Sequence, residues 1–159
     1  AWCASGEEPY TLAVVLAEHL PSPADRNARI LATDISGHSL AVARAGRYPA
    51  GLVESVPAQL RRKYLERTGD GRYEVKGSLK QLTRFARLNL MGDWPMRGPF
   101  DVVFCRNVMI YFDRGTREQL VARFHGLIRE GGYLFVGHSE SLTGLAHDFQ
   151  YVQPAVYRR

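Results

Sequence analysis

Short apolar strands alternate with helical segments along most of this 159-residue chain. The segment "ARILATDIS" has the pattern of a strand that ends in an acid, and "HSLAVARA" that of a helix between an N-cap at Ser36 and a stop at Gly46. Before them, residues 1–4 resemble a strand end, and apolar residues recur at helical spacing from Pro9 to Leu20. Strands separated by helices favour a parallel sheet covered by helices, so the sequence predicts an α/β fold.

The second half of the chain continues this alternation. The almost unbroken apolar run "FDVVFCRN" predicts a strand buried on both faces. In "GTREQLVARFHGLIREGG" an apolar stripe predicts a helix terminated by Gly131 and Gly132. The members of that stripe are Leu120, Val121, Phe124, Leu127 and Ile128. "YLFVGHSES" predicts another buried strand, in which His138 is expected to be structural, and "FQYVQPAVYRR" predicts an antiparallel last strand.

Size and composition narrow the class of protein. A chain of 17.9 kDa has the size of one domain with one core. It is 45% hydrophobic and 23% charged, without the long apolar run of a membrane span, which indicates a soluble protein. Cys3 and Cys105 form no CxxC pair and follow no signal peptide, which favours the cytoplasm. The five histidines lack ligand spacing, so no metal site is expected.

The positive charge is concentrated in residues 44–87. This segment carries eleven basic and four acidic side chains, a net charge of +7 in a chain whose total is +5. It contains "VPAQLRRKYLER", a predicted short helix starting at Pro57, and "TGDGRYEVKGSLKQLTRFARLNL", whose alternation around a glycine-rich turn predicts a small β excursion. The charge fits an acidic partner or a solvated helix face. Without an RNA-binding or zinc signature, no nucleic-acid partner is expected.

Small residues and two acids follow the predicted first strand. Ala4, Ser5 and Gly6 let a ligand approach the backbone, and Glu7 and Glu8 open the next helix. A dinucleotide would place its pyrophosphate at that helix start, where two carboxylates repel it. A ligand with an ammonium or sulfonium group fits better. Alternatively, the glutamates only complement the helix dipole.

Further polar residues follow the other predicted strands, where an open α/β sheet binds its ligands. Asp34 is placed to accept two ribose hydroxyls, although a capping role would also explain it. Asn89 can bond to an adenine edge, and Leu90 can supply an apolar wall or a backbone N–H, although a turn explains either residue alone.

The last group, Arg106, Asn107 and Tyr111, follows the apolar run "FDVVFC". Burial explains it poorly, because arginine is seldom buried unpaired, so a functional role is favoured. The preceding Cys105 is expected to be a small core residue rather than a nucleophile.

Five segments in order, "SGEEPYTLA", "ATDIS", "ARAGRY", "FDVVFCRNVMIYF" and "GYLFVGHSES", resemble the CheR family of chemotaxis receptor glutamate methyltransferases. The resemblance runs from Ala1 to the last strand. It implies a class I S-adenosylmethionine-dependent methyltransferase fold, with a Rossmann-like, mostly parallel seven-stranded sheet and a small β subdomain inserted at about residues 66–88. Family members also carry an N-terminal helical domain, which is expected to be absent here.

The same resemblance implies S-adenosylmethionine as cofactor and S-adenosylhomocysteine as product. Carried over by position, Gly6 belongs to the cofactor-binding turn. Glu8, with Glu7 as the neighbouring candidate, holds the amino-acid end of the cofactor, and Asp34 holds the ribose. These assignments agree with the acid-opened helix, because the cofactor has no phosphate.

The remaining roles concern the second half of the chain. Asn89 and Leu90 are expected to flank the adenine. Arg106 and Asn107 are expected to close the site near the cofactor, with Arg106 and Tyr111 as the catalytic candidates. Tyr111 would help to place the methyl group against the incoming carboxylate.

The implied activity is methylation of glutamate γ-carboxylates on the cytoplasmic helical bundle of chemoreceptors. In the family the β subdomain contacts the receptor, and some members grip a tether peptide at the receptor C-terminus. The alternative is a non-catalytic module that docks receptors or senses the cofactor. An NAD-linked oxidoreductase is disfavoured because G-x-G-x-x-G is absent. No membrane insertion is expected.

Overall fold

The computed structural model describes residues 3–23 and 27–159, which divide into two compact units, Cys3–Leu88 and Asn89–Arg159. The predicted first strand at residues 1–4 and the predicted break "PSPADRN" therefore lie partly outside the described residues. The first unit contains α1 (Glu7–His19), β1 (Ile30–Asp34), α2 (Gly37–Ala45), β2 (Arg47–Tyr48), α3 (Ala50–Val53), α4 (Ala58–Tyr64), β3 (Leu65–Arg67), β4 (Tyr73–Val75), α5 (Gly77–Lys80) and β5 (Thr83–Arg87).

In the first unit, β1 and β5 form a parallel pair that runs in register from Ile30 beside Thr83 to Asp34 beside Arg87. The helix predicted between an N-cap at Ser36 and a stop at Gly46 is confirmed as α2. The Ser36 hydroxyl accepts a hydrogen bond from the backbone N–H of Ser39 at 3.2 Å, and Gly46 ends the helix in the left-handed conformation. Local sequence signals therefore determine both ends of this helix.

A small antiparallel sheet with the order β2-β4-β3 accounts for the predicted hairpin. Its extent differs from the expected range of 66–88. β2 lies earlier in the chain, and β5, expected within the excursion, pairs with β1 instead. The difference has a packing cause, because Phe85 of β5 packs against the apolar clusters of this unit. The edges of the small sheet are β2 and β3, whereas β4 is central.

Apolar side chains from α1, α4, α5 and the small sheet form the main core of the first unit. Ala13 of α1 and Leu79 of α5 are fully buried in it, and Tyr10, Tyr48 and Tyr64 are buried. Among the described residues, none of the helices combines the length and apolar character that crossing a bilayer requires.

The second unit is built on one mixed sheet. It contains β6 (Phe100–Cys105), a 3₁₀ turn (Met109–Tyr111), α6 (Arg114–Leu127), β7 (Ile128–Val136), β8 (Gln150–Gln153) and β9 (Val156–Arg158). The strand order is β6-β7-β9-β8, with β6 and β7 parallel and the last two strands antiparallel to their neighbours. The predicted antiparallel last strand is confirmed.

The predicted end of the long helix is wrong. α6 ends at Leu127, and Ile128 begins β7, so Gly131 and Gly132 lie within a strand. Pairing with the neighbouring strands overrides the helical stripe: Ile128 is in register with Phe100 of β6, and the backbone N–H of Gly131 donates to the Arg159 carbonyl at 2.8 Å. Ile128 nevertheless remains in the core, as the stripe predicted.

The prediction that β6 is buried on both faces is also wrong. Val103 and Cys105 face the core cluster beneath α6, but Val102 on the other face is 39% exposed. Phe104, also on that face, stacks on Phe135 of the neighbouring strand at 4.7 Å between ring centroids. Among residues 3–23 and 27–159, the core cluster of this unit covers the face of β6 that carries Val103 and Cys105, so an apolar run did not require burial on both faces.

Candidate functional site

The small-residue segment before α1 forms a tight turn. The backbone N–H of Cys3 donates to the Thr33 carbonyl of β1, and that of Gly6 donates back to the Cys3 carbonyl, both at 2.9 Å. Gly6 has a φ of 97°, and a Cβ added there would lie 2.9 Å from both the Ala43 Cβ and the Tyr48 hydroxyl. Only glycine combines this conformation with this close approach, so residue 6 must lack a side chain for the turn to pack against α2 and Tyr48.

Tyr48 anchors the turn from the side of the small sheet. Its hydroxyl donates to the Ser5 carbonyl at 2.8 Å, and its buried ring meets Tyr10 edge to face. Burial, followed by the nearby Glu7 carboxylate, raises the pKa of Tyr48, so its hydroxyl stays protonated and remains a donor. The aromatic residue in "ARAGRY" therefore supports the turn that precedes α1.

Asp34 anchors the same turn from β1. Its side chain is only 2% exposed, with one carboxylate oxygen accepting from the backbone N–H of Ala4 at 3.0 Å and the other from that of Ser36 at 2.8 Å. A carboxylate offers about four acceptor positions, so these bonds leave acceptor capacity. Asp34 thus has the local capping role that the sequence left open, and it holds the Gly6 turn against the end of β1.

Glu7 and Glu8 occupy the first turn of α1, as predicted. The Ser5 hydroxyl donates to the exposed Glu7 carboxylate at 2.6 Å, which keeps this acid beside the turn. Glu8 is half-buried. Two carboxylates at this helix start make the position favourable for a cation and unfavourable for a phosphate.

In the second unit, Asn89 and Leu90 lie in a turn that begins the unit. The exposed Asn89 side chain accepts from the backbone N–H of Met91 at 3.0 Å. The Leu90 carbonyl accepts from Trp94 Nε1 at 3.1 Å and from Arg123 Nη1 at 2.8 Å. Asn89 therefore shapes the turn, and the polar backbone of Leu90 is held inside the unit.

Arg123 of α6 holds this turn in place. Besides its bond to Leu90, it donates to the Gly92 carbonyl at 2.7 Å and lies 3.8 Å from the centre of the Trp94 ring. These contacts join a planar cation to two carbonyls and an aromatic face, a combination that restrains the backbone after β5.

Arg106, Asn107 and Tyr111 lie on the loop that follows β6. Asn107 is exposed and has a φ of 56°, a left-handed conformation that asparagine tolerates better than most residues. Tyr111 ends the 3₁₀ turn with 67% of its side chain exposed, and Arg106 is half-buried. The loop therefore presents an amide and a phenol to solvent directly after the strand end.

A buried acid lies beneath this loop. Glu140 is 7% exposed and accepts five backbone N–H bonds. Its Oε1 accepts from Val108, Met109 and Ile110 at 2.9, 2.7 and 3.3 Å, and its Oε2 accepts from Asn107 and Gly137 at 2.7 and 2.6 Å.

The predicted residues thus form separate groups in the two units. Asp34 and the turn before Glu7 come together in the first unit, and Arg106, Asn107 and Tyr111 share one loop in the second. The sequence analysis missed Arg123 and Glu140. A signal existed for each, since an arginine borders the apolar stripe in "LVARF" and an acid follows a buried strand in "GHSES".

Both cysteines are buried, and they are not joined in a disulfide. Cys105 is fully buried in the second unit, which confirms the prediction of a core residue. Burial and the neighbouring Asp34 carboxylate raise the pKa of the Cys3 thiol to about 11, so it stays protonated at neutral pH. Neither thiol has the properties of a nucleophile.

The model of the CheR methyltransferase SAM binding domain family matches residues 1–158. The chain belongs to this family. The match confirms the resemblance seen in the five sequence segments, and it confirms S-adenosylmethionine, the SAM of the family description, as the cofactor. The class I methyltransferase fold is confirmed with it.

Relatives of this CheR-family chain are similar over almost its whole length. A probable chemotaxis protein methyltransferase of Rhizobium etli is 43% identical over 157 residues, which cover 96% of this chain and 59% of the relative. The chemotaxis protein methyltransferase of Borreliella burgdorferi is 42% identical over an alignment of 161 residues. The alignment covers 100% of this chain and 56% of the relative. The chain therefore spans little more than half the length of these curated relatives.

A solved structure shows the same fold at low identity. The crystal structure of the cyclase SpnF aligns with a TM-score of 0.50 and 14% identity, over 92% of this chain and 41% of SpnF. Identity at this level carries information about the fold alone.

Proposed function

We propose that this chain transfers a methyl group from S-adenosylmethionine to glutamate γ-carboxylates on the cytoplasmic helical bundle of chemoreceptors, in the cytoplasm, giving glutamate methyl esters. The family match over residues 1–158 carries the proposal, because it covers the segments that build the turn before α1 and the loop after β6. The relatives' names, which describe chemotaxis protein methyltransferases, supply the class of activity.

The first unit fits the cofactor chemically. Glu8, with Glu7 beside it, is proposed to hold the cofactor ammonium, since both acids lie in the first turn of α1. Asp34 is proposed to accept the ribose hydroxyls with the acceptor positions that Ala4 and Ser36 leave open. The turn that ends at Gly6 carries only the small side chains of Ala4 and Ser5 on its less buried residues, which suits the approach of a cofactor.

The family resemblance assigns further proposed roles to residues of the second unit. Asn89 and Leu90 would flank the adenine from the turn that Arg123 restrains. Arg106 and Asn107 would close the site near the cofactor, and the exposed Tyr111 phenol would orient the acceptor carboxylate. These roles follow the family resemblance, and the exposure of Asn107 and Tyr111 is compatible with them.

The chemistry needs few protein groups. When bound, S-adenosylmethionine supplies a methyl group on a cationic sulfur, which passes to the acceptor carboxylate as a C–O bond forms and the C–S bond breaks. A glutamate with a pKa of about 4.3 is already ionised at neutral pH, so no general base is required. The side chains contribute by positioning the carboxylate and replacing its water shell, which is the role proposed for Arg106 and Tyr111.

Tyr111→Phe is expected to lower kcat for receptor methylation by about tenfold, because one hydrogen bond to the acceptor is lost. The affinity for S-adenosylhomocysteine should change by less than about threefold, since the ring remains. Initial rates of methyl incorporation and calorimetric titration measure the two effects. An unchanged kcat would remove the Tyr111 hydroxyl from the mechanism.

Receptor docking is proposed for the basic segment 44–87. Three basic residues occupy the last turn of α4, Arg61, Arg62 and Lys63. Lys63 pairs with Glu18 at 2.6 Å, and Arg61 donates to the Val53 carbonyl at 3.3 Å. Arg62 is exposed, so it is the member of this group best placed to meet an acidic helical bundle.

Reversing Arg61, Arg62 and Lys63 to glutamate is expected to weaken receptor binding by about tenfold at low salt, with the difference shrinking as salt rises. Arg62→Glu alone should give much of this loss without disturbing the Lys63–Glu18 pair. Exposed Arg97→Glu, in the other unit, makes the same single charge change and serves as its control. Salt-independent, unchanged binding of the triple variant would rule out docking through α4.

The small sheet is proposed as the contact for a receptor tether peptide. Its edge strand β3 belongs to the hairpin with β4, whose turn closes through the backbone N–H of Thr68 donating to the Arg72 carbonyl at 2.9 Å. An exposed edge can accept an added strand through its backbone groups. Because β4 lies between β2 and β3, the strand of this hairpin that can accept an added strand is β3.

A further inference from the structure

Glu140 is hydrogen-bonded to the backbone of the candidate methyl-transfer loop, the segment that follows β6. Five backbone N–H groups converge on this one carboxylate, four of them from consecutive residues 107–110 and the fifth from Gly137. A buried carboxylate is stable only when its charge is compensated, and here the oriented amides of the loop provide that compensation. The loop and the acid therefore stabilise each other.

The loop needs this external acceptor. The 3₁₀ turn Met109–Tyr111 has no side-chain cap from Val108, the residue at its start. The free N–H groups at the start of the turn point instead to Glu140, which arrives from the segment after β7. Glu140, which follows the end of β7, thus caps the start of the 3₁₀ turn. Tyr111 is the last residue of the same turn.

Gly137 provides the space for this contact. A Cβ at Gly137 would lie 2.6 Å from Glu140 Oε2 and 3.0 Å from the backbone nitrogen of Asn107. The missing side chain therefore lets the acid and the loop approach each other. The requirement for glycine at this position is independent of the hydrogen bonds and points to the same arrangement.

We propose that Glu140 is a positioning residue for methyl transfer, which sets the backbone of residues 107–110 and through it the placement of Asn107 and Tyr111. This inference rests on the proposed function. Asn107 keeps a left-handed backbone, with a φ of 56°, while its N–H donates to Glu140. Asn107, Ile110 and Tyr111 are exposed on the solvent side of the loop, and Glu140 holds it from the buried side.

The first test uses the variant Glu140→Gln. An amide keeps the size of the side chain but has one acceptor oxygen, so its NH₂ group must face either the two donors at Oε2 or the three at Oε1. We expect kcat for receptor methylation to fall about 30-fold, with the affinity for S-adenosylhomocysteine within about threefold of wild type. Amide hydrogen exchange in residues 107–111 should rise by about tenfold or more.

A matched control removes a carboxylate elsewhere in the same unit. Glu118 Oε1 accepts from Arg114 Nε at 3.0 Å and from the backbone N–H of Ala146 at 3.2 Å. Glu118→Gln makes the same chemical change outside the loop, and its kcat and loop exchange should stay within about twofold of wild type. This control separates the loss of a carboxylate from the loss of its contact with the loop.

Gly137→Ala is the second variant. If Glu140→Gln does not fold, Gly137→Ala tests whether Glu140 positions the loop. It leaves the carboxylate intact but fills its space, so it should also lower kcat and loosen residues 107–111. Wild-type kcat, or wild-type loop exchange, in both variants would overturn the inference. If the wild-type chain itself transfers no methyl group, the proposed function fails, and loop exchange alone then shows whether Glu140 holds the loop.

Discussion

Asp34→Ala is expected to weaken the binding of S-adenosylhomocysteine by at least about 100-fold, because two hydrogen bonds from ribose hydroxyls to a charged acceptor are each worth about 1.5–3 kcal/mol. The buried carboxylate also holds the backbone N–H groups of Ala4 and Ser36, so the variant loosens the turn before α1 as well. Calorimetric titration of the variant and the wild type measures the difference, and NAD is expected to give no heat with either.

A control separates ribose binding from support of the turn. Tyr48→Phe removes the hydrogen bond to the Ser5 carbonyl, the other side-chain anchor of the turn, and leaves Asp34 in place. Its affinity for S-adenosylhomocysteine should fall by no more than about fivefold. Equal losses in both variants would mean that Asp34 acts through the turn alone, and wild-type affinity in Asp34→Ala would contradict its ribose role.

Gly6→Ala is expected to lower the free energy of unfolding by about 2–6 kcal/mol, since a left-handed backbone and overpacking each cost about 1–3 kcal/mol. At a φ of 97°, the added methyl group would lie 2.9 Å from the Ala43 Cβ, which belongs to the helix α2 and has little freedom to move. Urea unfolding followed by circular dichroism measures the change.

Gly37→Ala is the matched control for this prediction. Gly37 begins α2 in the same unit, and a Cβ there would have nothing within 4 Å. The free energy of unfolding of this variant should stay within about 1 kcal/mol of wild type, because alanine favours the helix. A Gly6→Ala variant as stable as Gly37→Ala would show that the turn before α1 relaxes without cost.

Local signals predicted the parts of the fold that depend on neighbouring residues. Ser36 and Gly46 define α2 because a hydroxyl cap and a left-handed glycine act within one turn of the chain. Likewise, the positions of Glu7 and Glu8 at the start of α1 follow from a small-residue turn before an apolar helical pattern. These signals contain the physical cause of the structure, so the sequence was enough.

Pairing between distant segments was not predictable in the same way. The stripe in α6 continues through Ile128, but the chain leaves the helix at Leu127 because β6 and β9 provide pairing partners for β7. Similarly, β5 pairs with β1 although its sequence alternates like that of the hairpin before it. In each case the structure depends on hydrogen bonds between strands that are far apart in the sequence. A short stretch of sequence does not contain both partners of such bonds.

The backbone partners of the residues that support the candidate site were unpredictable for the same reason. Glu140 and Arg123 bind backbone groups that are about 30 residues away in the sequence. A backbone N–H or carbonyl leaves no trace in the amino-acid type, so these partners cannot be identified from composition or spacing. Side chains proposed to meet the cofactor were easier to nominate, because the residue type itself identifies a carboxylate, an amide or a phenol.

Methyl transfer to receptor glutamates can be measured by incubating this chain with methyl-labelled S-adenosylmethionine and a chemoreceptor cytoplasmic fragment. We expect label on the receptor that mild base releases as methanol, because a carboxyl methyl ester is base-labile. We expect no label on a receptor whose acceptor glutamates are replaced by alanine. If S-adenosylhomocysteine binds but no base-labile label forms, the catalytic claim is contradicted, and a docking or cofactor-sensing module becomes the better explanation.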